Sequence, residues 1–189
     1  MFADRPDRSV GRNAARSGKF VRESPAGGNR WGKDPPTLQA VTIRRAVSTD
    51  DPVLRQLAAA SKGHWGYDQA RLRRWASEID LSELGTAGAE IYVAEKGGRL
   101  VGWAALRWRE ARCELDHLWI EPERIGEGIG STLFRFAVAR ARELGAPRLE
   151  VESEPNAVGF YEKLGAARIG ETTSSWGRQL PVLAVDLRD

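Results

Sequence analysis

Three glycines at alternate positions, Gly126, Gly128 and Gly130, stand between a segment typical of a strand and one with helical periodicity. Glycine lets the backbone turn sharply and approach a ligand closely, and the first turn of a helix presents N–H groups without partners. Those groups and the positive end of the helix dipole attract phosphate. A plain strand-to-helix turn rarely needs so many glycines, so the loop predicts phosphate binding.

Two familiar phosphate motifs do not fit this loop. A P-loop requires a lysine after its last glycine, where Ser131 stands. A dinucleotide fingerprint would place its third glycine at the same position, although Glu150 or Glu152 would suit its ribose-binding acid. A dinucleotide-binding fold should also open with the loop, whereas a three-stranded antiparallel run directly precedes it here. A dinucleotide-dependent oxidoreductase is therefore the weaker alternative.

The segments around the loop predict one mixed α/β domain with about six or seven strands and about four helices. The predicted order is a strand at 41–47, two helices within 51–79, three strands between 91 and 120, a helix from the loop to Leu144, a strand at 149–152, a helix to Gly165, and strands at about 167–174 and 181–187. The second helix is expected to begin at about Tyr67. Helical spacing predicts the buried face of the helix after the loop to be Ile129, Leu133, Phe136, Ala137, Ala141 and Leu144.

The chain has 189 residues, which suits one domain with an appendage. Its net charge of +3 is uneven, because residues 1–36 carry eight Lys and Arg against four Asp and Glu. That segment has no hydrophobic period and is predicted to be a flexible, basic Gly/Pro/Arg-rich tail, with the folded domain at 37–189. Because the charge excess lies in the tail, nucleic-acid binding is not favoured.

A single cysteine, Cys113, excludes an internal disulfide and a cysteine-clustered zinc site, and two histidines leave little for another metal site. No apolar run approaches the ~18 residues of a membrane span, and no signal peptide is evident. These features predict a cytoplasmic protein without a metal or a membrane partner. Cys113 has no identified activating partner, so a buried strand position is favoured over a role as an acyl carrier.

The segment Leu118–Pro122, followed by Gly128-Ile-Gly130 and a helix, resembles the GCN5-related N-acetyltransferase (GNAT) family. That family has a strand, a proline, then [Arg/Gln]-x-x-Gly-x-[Gly/Ala] and a helix. One departure is that Ile125 stands at the Arg/Gln position, with Arg124 one residue early. The family's loop grips pyrophosphate mainly through backbone N–H groups, so this change weakens the match only slightly.

A second block is similar to the family's N-x-x-x-x-Tyr-x-x-x-Gly signature through Asn156, Tyr161 and Gly165. The two blocks occur in the family's order with a strand between them, and the resemblance extends over 41–187. It implies a mostly antiparallel sheet that splays after Leu118, with the pantetheine arm of acetyl-CoA in the gap. The implied cofactor-binding residues are Leu118, Trp119, Ile120, Ile125, Gly126, Glu127, Gly128, Ile129, Gly130, Ser131 and Asn156.

The resemblance also implies catalytic roles. Tyr161 would protonate the departing thiolate, although its spacing alone also fits core packing. Glu114 lies where histone-type members place a base glutamate, and Asp116 shares its strand face by the period of two. Either carboxylate, directly or through water, is a candidate base; two solvated charges are the alternative. A regular strand would turn His117 to the opposite face, whereas a bulge would reverse that.

The implied reaction transfers the acetyl group of acetyl-CoA to a primary amine of an unidentified small molecule or peptide by direct attack. The acceptor would lie over the helices at 51–79, where His64, Trp65, Tyr67 and Trp75 offer an aromatic wall or ordinary packing. The alternative is a non-catalytic acyl-CoA-binding or regulatory module of the same fold. Homodimers are common in the family, and that analogy leaves a homodimer open.

Overall fold

The computed structural model describes residues 40–79, 81, 88–109, 112–174 and 176–188. The predicted tail at 1–36 lies outside these residues. The strands are β1 (Thr42–Arg45), β2 (Ala89–Lys96), β3 (Arg99–Arg109), β4 (Arg112–Ile120), β5 (Arg148–Glu152), β6 (Ala167–Thr173) and β7 (Gln179–Asp186). The helices are α1 (Asp51–Gly63), α2 (Gln69–Glu78), α3 (Ile129–Glu143) and α4 (Val158–Lys163). This confirms the predicted mixed α/β architecture and its order of elements.

One sheet of seven strands, in the order β1-β2-β3-β4-β5-β7-β6, forms the centre of the domain. All neighbours are antiparallel except β4 and β5, which run parallel. Those two strands pair only at Cys113 with Leu149 and at Glu114 with Glu150. After Glu114, β4 separates from β5, four residues earlier than the predicted splay at Leu118. The sheet therefore opens into a gap beside the second half of β4.

Each face of the sheet has its own apolar core. Helix α3 covers one face, where the largest fully buried side chains include Leu106, Leu133 and Phe134. Helix α1 covers the other, around Trp103. The indole of Trp103 donates a hydrogen bond of 3.0 Å to the Leu54 carbonyl, so this ring contributes a satisfied polar group as well as apolar area. The two cores together hold β3 and β4 in place beside the gap.

Two details of the helices differ from the prediction. In α3 the predicted Leu144 is 41% exposed and Phe136 is only partly buried, whereas Phe134 is buried. Helix α2 begins at Gln69 because the Asp68 carboxylate accepts a hydrogen bond from the Arg71 N–H and caps the helix. Within the described ranges, no helix is both long and apolar enough to cross a bilayer.

Candidate active site

The glycine loop folds as a tight turn between β4 and α3. Gly126 and Gly128 have φ values of 95° and 81°, which side chains other than glycine rarely adopt. Gly128 is the N-cap of α3, and its carbonyl accepts hydrogen bonds of 3.0 and 3.1 Å from the N–H and hydroxyl of Thr132. The N–H groups of the first α3 turn therefore face outward at the positive end of the helix, in an arrangement suited to phosphate.

A cleft of about 400 Å³ connects this loop with the gap in the sheet. Most of the predicted cofactor-binding residues line it, together with Tyr161: Leu118, Trp119, Ile120, Ile125, Gly126, Gly128, Gly130, Ser131 and Asn156. The two remaining side chains point elsewhere. The Glu127 carboxylate pairs with Lys96 at 2.7 Å, and Ile129 is buried in the core, so a ligand in the cleft would meet their backbone.

Tyr161 packs in the core, as its spacing allows, and also borders the cleft. It is buried, its ring centroid lies 5.3 Å from that of Phe134 and 4.9 Å from that of Phe160, and it also lines the cleft. Burial raises the pKa of the Tyr161 phenol above its ordinary value of about 10. The phenol is protonated at neutral pH, as a proton donor must be, and its raised pKa also makes it a weaker acid than an exposed tyrosine.

A bulge in β4 changes which side chains share a face. Ala105 pairs with His117 and Leu106 pairs with Leu115, so Asp116 is the extra residue. His117 consequently lies on the same face as Trp103, with ring centroids 5.0 Å apart, and its Nδ1 accepts a hydrogen bond of 3.1 Å from Trp119. Of the two alternatives that the sequence left open for His117, the bulged strand is therefore the one that the structure shows. Burial lowers the pKa of His117 below its ordinary value, which keeps the imidazole neutral at pH 7.

The carboxylates predicted as bases line a second cavity of about 860 Å³. Glu114 pairs with Arg109 at 3.0 Å and with Arg112 at 2.7 Å. Asp116 pairs with Arg107 at 3.0 Å. Neither prediction of a catalytic role is tested by this geometry, but each carboxylate already has a guanidinium partner.

Glu152, at the end of β5, lines both cavities. Among the described residues its carboxylate makes no hydrogen bond or ion pair. Burial and the nearby negative charges of Glu114 and Asp116 raise its pKa above the ordinary value for glutamate. A carboxylate with a raised pKa and no tight partner is a better proton acceptor than one held by arginine.

Aromatic rings gather over α1 and α2, as the sequence predicts in part. Tyr67 and Trp75 are joined there by Trp119 of β4 and by Trp176. Trp65 instead lines the smaller cleft, and His64 lines neither of the two cavities. The wall is therefore built by residues from four separate parts of the chain, and only two of them belong to the predicted set.

Cys113 is completely buried on β4, and burial is the main cause that raises its pKa to about 12. A thiol with this pKa is protonated and unreactive at neutral pH. This agrees with the expectation of a buried strand residue and speaks against Cys113 as an acyl carrier.

Comparison with known proteins gives the same architecture. Residues 53–166 match the model of the acetyltransferase (GNAT) family. The chain belongs to the GNAT acetyltransferase family. It is 30% identical over 122 residues to human N-acetyltransferase 8B, covering 60% of this chain and 54% of that protein, so it spans about half the length of that relative. The family and the sheet topology do not support the oxidoreductase alternative.

Solved GNAT structures share the fold. The PaiA N-acetyltransferase of Thermoplasma acidophilum, in complex with coenzyme A, superimposes with a TM-score of 0.66 at 20% identity over 78% of this chain and 99% of that one. A GCN5-related N-acetyltransferase from Rhodopseudomonas palustris gives a TM-score of 0.66 at 22% identity, over 81% of this chain and 99% of the other. At these identities the likeness establishes the fold alone.

Sequence reasoning about this GNAT chain did not assign a role in the site to Lys62, Glu154 or Trp176, and it considered Glu152 only as a ribose-binding acid. The alternation of Glu150 and Glu152 in a short strand, with Glu154 just after it, was a weak signal that acidic groups gather at one sheet end. Nothing local marks Lys62 or Trp176, because their neighbours in space come from distant segments.

Proposed function

We propose that the protein is an acetyl-CoA-dependent N-acetyltransferase that acts by direct attack of a primary amine on the thioester. The observation that carries the proposal is the continuity of the two cavities, which share six lining residues: Leu115, Asp116, Trp119, Val151, Glu152 and Glu154. A cofactor in the smaller cleft and an acceptor in the larger cavity would therefore meet beside the bulged part of β4.

The cofactor site fits acetyl-CoA in shape and chemistry. The loop offers backbone N–H groups, and a Cβ built at Gly126 or Gly128 would meet nothing within 4 Å, so there is open space where a phosphate would approach. Beyond the last β4–β5 pair, the backbone of Leu118–Ile120 faces the gap and can pair with the amide groups of a pantetheine arm. The N–H of Ile120 donates only a long hydrogen bond, of 3.4 Å, to the hydroxyl of Ser61.

The reaction needs a neutral amine, a stabilised oxyanion and a proton for the thiolate. The amine nitrogen forms a bond to the carbonyl carbon, the C–S bond breaks, and the thiolate takes the proton of the Tyr161 hydroxyl. The proton lost by the amine goes to a carboxylate of the larger cavity. Glu114 and Asp116 stay candidates for this role, and we add Glu152, because its pKa is raised and it makes no ion pair among the described residues, although Arg112 is close enough to lower its pKa in part.

Two measurements test this function. Calorimetric titration should show acetyl-CoA binding, and a thiol-release assay should show turnover with members of a panel of amines. Tyr161→Phe should keep acetyl-CoA affinity but reduce kcat at least about tenfold, because the proton donor is lost. Tyr92→Phe is the matched control, since it removes a phenol hydroxyl that donates to Glu90 outside both cavities.

Each outcome separates the alternatives. Binding without thiol release across the panel would favour a non-catalytic acyl-CoA-binding module. Turnover of Tyr161→Phe within about threefold of the parent protein would remove the proton-donor role.

A further inference from the structure

Four aromatic rings surround the ammonium group of Lys62. Its Nζ lies 4.7 Å from the ring centroid of Trp75, 4.9 Å from Trp176, 5.3 Å from Tyr67 and 5.6 Å from Trp119. All four distances fall within the ~6 Å at which a cation is attracted by an aromatic face. We call these four rings the aromatic cage.

The four rings of the cage pack against one another in defined orientations. Its rings meet edge to face, with centroid separations of 5.4 Å for Tyr67 and Trp176, 5.4 Å for Trp75 and Trp119, and 6.4 Å for Trp75 and Trp176. Such packing fixes the ring planes around the central cation. Three of the rings and Lys62 itself line the larger cavity, so the cage opens onto the proposed acceptor site.

Glu154 supplies the negative charge of this site. Its Oε1 accepts from Lys62 at 2.8 Å, and its Oε2 accepts from the Tyr67 hydroxyl at 2.7 Å and from Arg178 at 3.1 Å. If Lys62 left the cage, Glu154 would keep two hydrogen-bond donors. An incoming cation would replace one positive charge by another, so the charge balance of the site would stay the same.

Lys62 can leave because of its position. It lies in the last turn of α1, and its ammonium is held by a long, flexible stem. By contrast, the rings come from a loop, a helix, a strand and the segment after β6, so the backbone that holds each ring does not depend on the lysine side chain. The lysine is thus a tethered occupant of a cation site whose walls are independent of it.

We propose that the aromatic cage binds a second, positively charged group of the acceptor, which displaces Lys62, and that the substrates are amines that carry such a second cation. This rests on the proposed acetyltransferase function. The caged group is not the amine that reacts, because aromatic faces and Glu154 stabilise the charged form, whereas attack requires a neutral nitrogen. The reacting amine lies deeper in the cavity, near Glu152, while the cage holds the other end of the molecule.

A direct binding test titrates choline, or its neutral isostere 3,3-dimethyl-1-butanol, into the full chain. The quenching of tryptophan fluorescence measures binding. Lys62→Met removes the cation that all four rings share and keeps most of the stem, while Arg71 stays 4.2 Å from the Trp176 ring centroid and Arg178 stays 5.1 Å from that of Tyr67. We expect it to bind choline at least about tenfold more tightly than the parent, since a tethered ligand competes at millimolar effective concentration. The isostere should not show this gain, and Lys163→Met, which removes an exposed lysine outside both cavities, should leave choline binding unchanged.

A second variant shows that the rings carry the binding. Adding Trp176→Leu to Lys62→Met should weaken choline binding by about fivefold or more, with an unchanged thermal unfolding midpoint as the check on folding. Equal binding of choline and the isostere, or weaker choline binding by Lys62→Met than by the parent, would overturn the cation site.

The catalytic arm compares 1,4-diaminobutane with n-butylamine in the thiol-release assay. Lys62→Met should raise kcat/KM for the diamine at least about fivefold, because the cage then holds one end of the diamine while the other end reacts. A monoamine held in the cage is bound non-productively, which lowers kcat and KM together, so kcat/KM for n-butylamine should not rise. A monoamine preference, or equal changes of kcat/KM for both amines, would overturn the acceptor assignment. Thiol release from no amine, together with the expected choline binding, would refute the acetyltransferase function and the acceptor assignment while the cation site itself stands.

Discussion

Replacing Gly128 by alanine should destabilise the fold through the backbone alone. Gly128 has φ 81° and ψ 0°, and a Cβ at this position would meet nothing within 4 Å. The added methyl group would consequently clash with no other residue. The whole penalty comes from holding a residue with a Cβ in the left-handed conformation, which costs about 1–2 kcal/mol. The loop would either keep its shape at that cost or change shape and lose the phosphate-binding arrangement of its N–H groups.

Gly130, two residues later, is the matched control. It lies inside α3, where its φ is not in the left-handed region, and a Cβ would meet Phe160 atoms at 3.4 Å and Ile120 Cγ1 at 3.6 Å. These are ordinary contacts. Alanine in a helix is favoured over glycine by about 0.5–1 kcal/mol, so Gly130→Ala should be neutral or slightly stabilising. The two variants should thus differ by about 1.5–3 kcal/mol in the free energy of unfolding.

Urea unfolding followed by tryptophan fluorescence measures this difference, provided that the slope of the free energy against urea stays constant. Calorimetric titration with acetyl-CoA on the same variants then separates the two responses of the loop. Gly128→Ala should lose either stability or acetyl-CoA affinity. Gly130→Ala should keep its stability and bind acetyl-CoA with a dissociation constant within about threefold of that of the parent. If Gly128→Ala matched the parent in both measurements, or if Gly130→Ala were equally damaged, the assignment of the loop as a strained phosphate cradle would be refuted.

Two further predictions concern the proposed base and the core. Because the pKa of Glu152 is raised, the acidic limb of kcat/KM against pH should lie above the ordinary glutamate value of 4.5, with activity falling as the pH falls and Glu152 is protonated. Glu152→Gln should abolish that limb and reduce kcat by about 10²-fold or more, whereas an unchanged limb would return the role to Glu114 or Asp116. In the core, Phe134→Ala should cost about 3–5 kcal/mol of unfolding free energy and Leu144→Ala under about 1 kcal/mol, measured by urea unfolding; equal costs would contradict the burial described here.

The sequence predicted the start of α3 well, because that boundary depends on residues close together in the chain. The glycines fixed where α3 begins, and their left-handed φ values are a property that few other residues supply. The predicted face of α3 included Phe136 and not Phe134, although both flank the same apolar stripe. Phe134 is buried because α4 packs on its side through Tyr161, whereas Phe136 lies at the edge against Tyr92. Helical periodicity alone does not reveal which flank meets a neighbouring element.

The sequence left open whether β4 carries a bulge, and it did not reveal the cage, for a different reason. One extra residue in β4, Asp116, reverses the facing of His117, and the segment contains no glycine or proline that marks it. The aromatic cage brings Lys62 to Trp119 and Trp176, more than fifty residues away along the chain. Contacts at that separation depend on the whole topology, so only Tyr67 and Trp75 of the four residues in the predicted wall belong to the cage.

The larger cavity places two opposite demands on amines. The aromatic cage and Glu154 favour a positive charge, as the position of Lys62 shows. Acetyl transfer instead requires a nitrogen that has lost its proton, and Glu152, with its raised pKa, offers an acceptor for that proton. A molecule with one amine would be drawn to the cage in its unreactive, charged form. A molecule with two cationic groups satisfies both demands at once, because binding one end in the cage leaves the other end free to be deprotonated.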